Sequence, residues 1–278
     1  MIKQQRNQMA RWALVGAFML NAISASAWAG NACQNLGLGN NPGAIHTALK
    51  AALNSAVLAE VSGLDLNMWG TLVARDGTVC AVARSGKLGD QWPGSRVISA
   101  QKANTANAFS LPANTANGQN YQQGLALSTA NLYSAVQPGG AFFGLQHSNP
   151  VDPEVAYKGP SSNWGEANDA MVGKQIGGVN VFGGGLALYN ASHQVVGAVG
   201  VSGDSSCADH MVAWRTRNNL GLDHLAGVGG VSGDSARPDN IIYDIPHNPN
   251  GGTGISNGGF GHPTCIVTVD PTGLPAVQ

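Results

Sequence analysis

The sequence predicts an α+β fold in which a small antiparallel sheet is flanked by helices. Two β-rich runs, residues 66–74 and 78–83, are separated by Arg75-Asp76-Gly77. An Asp-Gly pair in this position is typical of a hairpin with a type I′ turn. A second pair of β-rich runs, residues 186–189 and 195–201, is joined by five residues that favour a turn. Because helical patterns flank both hairpins, helices packed on one antiparallel sheet are the natural arrangement.

Four segments predict helices. Residues 44–61 repeat apolar side chains at helical spacing, and a glycine follows them. Ser95 is a natural N-cap for a helix over 96–109. Helical patterns also cover residues 125–136 and 207–220. The element order is therefore helix, hairpin, two helices, hairpin, helix.

Two segments lack a regular pattern. Residues 137–178 contain four prolines, and an irregular stretch of this length in a compact domain usually binds a ligand or covers another surface. Residues 226–278 are rich in Gly, Pro and Asn, with short strand candidates at 241–243 and 266–269. We interpret 30–225 as the folded domain and 226–278 as an extension of it.

The amino terminus has the pattern of a cleavable signal peptide over residues 1–29. Basic residues without acidic ones precede an apolar run at 12–20, and Ala27-Trp28-Ala29 fits a signal peptidase site before Gly30. A membrane-spanning helix needs about 20 apolar residues, and this run is interrupted at Asn21. We therefore expect a periplasmic or secreted protein with no membrane span after processing.

Composition excludes some classes of partner. Charged residues make up 10% of the chain and the formal net charge is −1. A nucleic-acid-binding protein carries a basic surface, and this composition does not indicate one. We therefore expect no nucleic-acid partner. The hydrophobic content of 43% is ample for a core.

All four cysteines lie after the predicted cleavage point, which in an exported chain predicts two disulfides with three possible connectivities. Cys33 and Cys265 lie near the two ends of the mature chain, so we favour that pair, with Cys80 bonded to Cys207. The sequence alone leaves the connectivity open. No C-x-x-C pair is present, which disfavours a zinc cluster.

Catalytic motifs are weak. Ser99-Ala-Gln-Lys102 matches the S-x-x-K pattern of serine acyltransferases, but no K-T-G companion follows, and a polar helix face explains the match. The sequence contains no G-x-S-x-G, H-E-x-x-H or P-loop motif. Binding is therefore favoured over catalysis, and no catalytic residue is predicted. The alternative is an exported enzyme acting on a small carboxylate-bearing substrate through Ser99, Lys102 and Asp209.

Three histidines are candidate ligands. His147 follows an apolar patch that includes Phe142 and Phe143, His210 lies in the first turn of the last predicted helix, and His262 is part of Gly-Phe-Gly-His-Pro. A structural or surface role is the alternative for each of them. We expect exposed positions for two others, His46 and His193.

Two segments together carry a family resemblance. Residues 76–109 contain a D-G-x-V-x-A hairpin followed by a P-G-S…K-A…T-A…F helix, and residues 178–220 contain Gly-Gly-Gly-Leu and Val-Gly-Ala-Val-Gly-Val-Ser-Gly before the last helix. In this order and spacing they resemble the GlcG/HbpS-like haem-binding family, over about residues 43–225.

The resemblance implies a profilin/PAS-like sheet with flanking helices and frequent oligomerisation. It also implies haem binding in some members, with roles in haem handling, redox sensing beside a sensor kinase, or glycolate-associated operons. This chain departs from the minimal family in the loop at 137–178, the extension after 226 and the four cysteines.

The resulting hypothesis is an exported, disulfide-containing haem-binding protein. Haem needs an apolar cleft and one or two axial donors. We expect Phe142 and Phe143 to line the cleft, and His147 and His210 to be the iron ligands. The cationic candidates for the haem propionates are Arg96 and Lys102. A further alternative, an accessory partner of an envelope sensor or oxidoreductase, predicts an exposed apolar surface.

Overall fold

The computed structural model describes residues 32–113, 123–245 and 256–278, so the predicted signal peptide lies outside the described residues. Five helices and four strands organise the fold. The helices are α1 (Pro42–Leu58), α2 (Ser95–Phe109), α3 (Leu132–Ala135), α4 (Pro153–Ala156) and α5 (Ser206–Asn219). The strands are β1 (Trp69–Ala74), β2 (Val79–Arg84), β3 (Gly185–Tyr189) and β4 (Val195–Ser202).

The four strands form one antiparallel sheet in the order β2-β1-β4-β3. Each predicted hairpin supplies one edge strand and one central strand, and the central strands β1 and β4 pair with each other. The fold is therefore α+β, as the sequence predicts. Within the described ranges, no helix is both long and apolar enough to cross a membrane.

Helices cover both faces of the sheet, which explains why every strand residue is buried. α1 and α5 pack on one face in the largest apolar cluster, and α2 packs on the other. Gly200 of β4 permits the second contact, because a Cβ there would lie 1.9 Å from the carbonyl oxygen of Ser99 in α2. Gly200 thus allows α2 to lie close to the sheet.

Both edges of the sheet are covered by loops, the β2 edge by the segment 137–178 and the β3 edge by the residues that follow α5. The Val79 amide of β2 donates to the Lys174 carbonyl, and the Gly173 amide donates back to the Val79 carbonyl, each at 2.8 Å. At the other edge, the Tyr189 amide of β3 donates to the Leu222 carbonyl at 2.8 Å. Exposed strand edges invite pairing with other chains, and here backbone hydrogen bonds to loops block it.

The two disulfides join Cys33 to Cys80 and Cys207 to Cys265. The favoured pairing of the chain ends, Cys33 with Cys265 and Cys80 with Cys207, is wrong. Cys80 lies on the edge strand β2, whereas Cys207 follows β4, and β1 separates the two strands. The segment before α1 packs beside β2 instead, with 5.4 Å between the Cα atoms of Cys33 and Cys80.

The helix predicted over 125–136 is reduced to the single turn α3. Leu125 exchanges two backbone hydrogen bonds with Leu111, so the chain is extended there. The side chain of Asn131 then accepts from both the amide and the hydroxyl of Ser128, at 3.0 and 2.9 Å. Ser and Asn side chains compete in this way with helical hydrogen bonds.

Three local predictions are also corrected. The first hairpin turn is not type I′, because Gly77 has φ +84° while Asp76 is not left-handed. Ser95 is inside α2, and the helix begins without a side-chain cap. Residues 241–243 and 266–269 are not strands. There, Val267 is left-handed at φ 48°, and the Ile241 amide donates to side chains.

Candidate functional site

Lys102 and Asp209 form a buried ion pair between α2 and α5. Lys102 Nζ donates to Asp209 Oδ2 at 2.6 Å and to the Val201 carbonyl at 3.1 Å, and both charged side chains are fully buried. Asp209 Oδ1 accepts from the amides of Gly203 and Asp204. The pair therefore fixes the turn that joins β4 to α5.

Burial controls the titration of this pair. Loss of hydration lowers the pKa of Lys102 and raises the pKa of Asp209 to about 6, while the attraction between the two charges opposes both changes. Lys102 Nζ also lies 4.2 Å from the centroid of the Phe182 ring. With no exposed face, Lys102 is not free to bind the haem propionate for which the sequence suggested it.

Arg96 is equally enclosed. Its Nε and Nη2 donate to Asp169 at 2.9 and 2.5 Å, and its Nη1 donates to the Ala156 carbonyl at 2.7 Å. The guanidinium also lies over the ring of Trp164, 4.6 Å from its centroid. Arg96 thus holds the loop at 137–178 against α2, and it presents no free charge to a propionate.

The groups of the alternative enzyme hypothesis do not form a nucleophile and base. The Ser99 hydroxyl donates to the Arg96 carbonyl at 2.8 Å and shares a 2.7 Å hydrogen bond with Thr71. Lys102 is bonded to Asp209 and Val201 instead. All of these side chains are fully buried, so the S-x-x-K match reports packing of α2 on the sheet.

His210 is a core residue. Its Nε2 accepts from the Ile241 amide at 3.2 Å and lies 3.2 Å from Asn240 Oδ1, and the side chain is fully buried. Burial lowers its pKa to about 3, so the ring is neutral at pH 7. Its burial and the bonding of its Nε2 do not fit the role expected for it, as an iron ligand together with His147.

Three further histidines have distinct surroundings. His193 is exposed in the β3–β4 turn, as expected. His46 is buried, contrary to expectation, because the loop at 137–178 covers it and the Gly165 carbonyl lies 3.0 Å from its Nε2. His262 is also buried and contacts Tyr133 in a tilted arrangement, with 4.8 Å between ring centroids. Burial lowers the pKa of His262 to about 4.

The remaining candidates form an exposed aromatic surface, defined here as Phe142, Phe143, Phe260 and His147. The side chains of Phe142 and Phe143 are 40% and 68% exposed, and His147 is exposed as well. Phe260 of the extension meets Phe142 edge-on, with 6.3 Å between ring centroids. Consecutive turns over residues 142–147 place His147 on the same short segment as Phe142 and Phe143.

Sequence reasoning missed the acidic partners of the buried cations. Asp169 pairs with Arg96, and Asp239 receives two hydrogen bonds from Arg217, at 2.6 and 2.9 Å. Both carboxylates lie in the irregular segments that lack periodicity. A signal for these partners was the low number of charged residues, which leaves each Asp isolated in a Gly-rich loop. Such Asp residues are often bonded to the backbone or to buried cations.

Comparison with known proteins decides the family. The model of the HbpS-like haem degrading protein family matches residues 45–217. This chain belongs to the HbpS-like family. No curated protein is significantly similar to it.

Several solved structures are similar to this chain at low identity. The Klebsiella pneumoniae protein ORFY is 22% identical, with a TM-score of 0.40 over 63% of this chain and 86% of ORFY. A PduOC–haem complex is 21% identical, with a TM-score of 0.39 over 62% of this chain and 89% of PduOC. A double mutant of Streptomyces reticuli HbpS is 16% identical, with a TM-score of 0.38 over 62% and 82%.

Proposed function

We propose that this chain is an exported haem-binding protein that holds haem on the exposed aromatic surface, with His147 as the axial ligand. Membership of the HbpS-like family supports haem as the ligand class. The observation that carries the proposal is that one short segment exposes an imidazole and two phenylalanines.

The residues of this surface fit the chemistry of haem. Phe142 and Phe143 offer apolar area to the macrocycle, and an imidazole is a common axial donor. Among the described residues, His147 makes no side-chain hydrogen bond, whereas Nε2 of His210 is already bonded. When bound, the haem would supply the redox chemistry of its iron. The chain's own residues orient the ring and provide the donor.

Two disulfides in the folded chain support export, because such bonds persist in oxidising compartments. The predicted signal peptide agrees with a periplasmic or secreted location. Haem handling or sensing would then take place outside the cytoplasm.

A second exposed apolar surface supports self-association or docking on an envelope partner. It is formed by the end of α1, the segment that follows it and a turn of the extension. The Gly63 amide donates to the Val267 carbonyl at 3.3 Å and so joins the segment to the turn. Its exposed members are Leu58, Val61, Leu64, Ile266 and Val267. Burial of such side chains is favourable, so we propose that it contributes to a homo-oligomer.

Titration of the purified mature protein with haemin tests the binding proposal. We expect a saturable Soret shift that His147→Ala weakens by at least about tenfold, while the exposed control His193→Ala leaves it unchanged. Phe143→Ser should weaken it by about 5–30-fold, since about 1–2 kcal/mol of apolar burial is lost. Tyr157→Ser, at a similarly exposed aromatic residue, is the matched control. An unchanged affinity in His147→Ala would refute His147 as ligand.

A further inference from the structure

The Cys207–Cys265 disulfide lies against a buried histidine. Sγ of Cys207, Sγ of Cys265 and a ring nitrogen of His262 all lie within 4.8 Å of one another. Cys207 comes from the first turn of α5, and the other two come from the His-Pro-Thr-Cys segment of the extension. Two separate parts of the chain are therefore brought together at three atoms that are good ligands for zinc.

The hydrogen bonding of His262 leaves one ring nitrogen free to ligate. Its Nδ1 lies 2.7 Å from the Pro263 carbonyl oxygen, which can only accept, so Nδ1 carries the proton. Its Nε2 then holds a lone pair, and it is buried without a hydrogen-bond partner among the described residues. A ligating histidine usually donates its other N–H to a carbonyl or carboxylate in this way. The ring is thus held in one tautomer, with a lone pair on Nε2.

We propose that reduction of the Cys207–Cys265 disulfide creates a binding site for a borderline-soft divalent cation such as Zn²⁺, formed by the two sulfurs and His262. A dithiol reductant supplies two electrons and two protons, becomes a disulfide itself, and leaves two thiols. The cation then displaces both thiol protons and forms two metal–sulfur bonds and one bond to a ring nitrogen of His262.

The charges and the exposure of the site agree with this chemistry. Two thiolates and one divalent cation sum to zero, so the occupied site can be buried without an unpaired charge. Cys207 and His262 are buried, whereas Cys265 is half-buried, so reductant and metal reach the site from the Cys265 side. Three protein ligands leave a fourth tetrahedral position for water or a small ligand.

The other disulfide offers an internal comparison. Cys33 and Cys80 belong to the described part of the chain, yet they form no group of three metal-ligating side chains. Reduction frees four thiols in total, and only the pair beside His262 should form the site. If metal binding depends on His262, the proposed site is therefore distinguished from nonspecific binding of the metal to free thiols.

Cobalt is the probe for the experiment, because Co²⁺ bound by thiolates absorbs in the near ultraviolet and tetrahedral Co²⁺ has strong visible bands. The mature protein is reduced anaerobically with a phosphine, freed of reductant and titrated with Co²⁺. We expect about one Co²⁺ per chain with both spectral features, displacement by Zn²⁺, and neither feature in the oxidised protein. Absence of the charge-transfer band from the reduced protein would overturn the proposal.

Matched variants locate the site. Cys207→Ala/Cys265→Ala should abolish the spectrum and Cys33→Ala/Cys80→Ala should retain it. His262→Gln keeps every cysteine and should weaken Co²⁺ binding at least about tenfold, since even loss of a partner to a ligating histidine costs roughly 10–100-fold. Circular dichroism checks the fold of each variant. If His262→Gln binds as tightly as the unaltered chain, the proposal fails even where the cysteine variants do not fold.

Discussion

Two buried neutral histidines should make the protein lose stability as the pH falls. Burial lowers the pKa of His210 to about 3 and that of His262 to about 4, from an ordinary value of 6.5. Below pH 6.5 the unfolded chain therefore gains two protons that the folded chain does not. The stabilisation is complete above pH 6.5 and is lost as the pH approaches the folded-state values.

Asp209 acts in the opposite direction. Burial raises its pKa to about 6 from 3.8, so between these values the folded chain holds a proton that the unfolded chain has lost. Between pH 6 and pH 4, the three groups together therefore give the unfolded chain one more bound proton than the folded chain. One proton changes the free energy of unfolding by about 1.4 kcal/mol per pH unit. Together, the three groups should lower the free energy of unfolding by about 3 kcal/mol as the pH falls from 6 to 4.

Urea unfolding from pH 4 to pH 7.5 measures this effect. His210→Gln and His262→Gln should each reduce the pH slope by about 1.4 kcal/mol per unit, because glutamine does not titrate. The difference between variant and unaltered protein cancels the contributions of other groups. His193→Gln, at an exposed turn, should leave the slope unchanged. Equal slopes in all four proteins would refute the assignment of buried, neutral histidines.

Two further predictions follow from burial and exposure, and a third follows from the amino-terminal sequence. Arg96→Met should destabilise the fold by about 3–5 kcal/mol in thermal or urea unfolding, because it leaves the Asp169 carboxylate buried and unpaired. Arg84→Met breaks the pair with Glu166, whose carboxylate is 37% exposed and stays hydrated, so it should cost less than Arg96→Met, and equal losses would contradict this account. Leu58→Ser/Val61→Ser should shift sedimentation toward the monomer, whereas a monomeric unaltered protein would exclude self-association through this surface. Mass spectrometry of the exported protein should find Gly30 as its first residue, and retention of residues 1–29 would refute the signal peptide.

The sequence predicts the parts of the fold that depend on periodic burial. Both hairpins and the helices α1, α2 and α5 follow from apolar spacing and turn residues, and they appear within a few residues of the predicted bounds. Apolar periodicity does not show where side chains compete with the hydrogen bonds of a helix. Such competition, by hydrogen bonds between Ser128 and Asn131, replaced the helix predicted over 125–136.

The candidate site was harder to predict, because long-range packing decides which charges and histidines are exposed. Nothing local distinguishes Arg96, enclosed by the loop at 137–178, from a surface arginine. Two residues separate His262 from Cys265, but the pair does not form a recognisable metal-binding motif. The third partner, Cys207, lies 58 residues before Cys265. The irregular segment that carries Phe142, Phe143 and His147 follows from its prolines, but its exposure was not predicted, because both phenylalanines were expected to line an apolar cleft.

The most direct test of the central claim is the haemin affinity of His147→Ala compared with that of His193→Ala. Both histidines are exposed, and only His147 lies on the aromatic surface. The account predicts a saturable Soret shift in the unaltered protein and in His193→Ala, and an affinity at least about tenfold weaker in His147→Ala. No Soret shift in the unaltered protein at micromolar haemin, or equal affinities in the two variants, would contradict it.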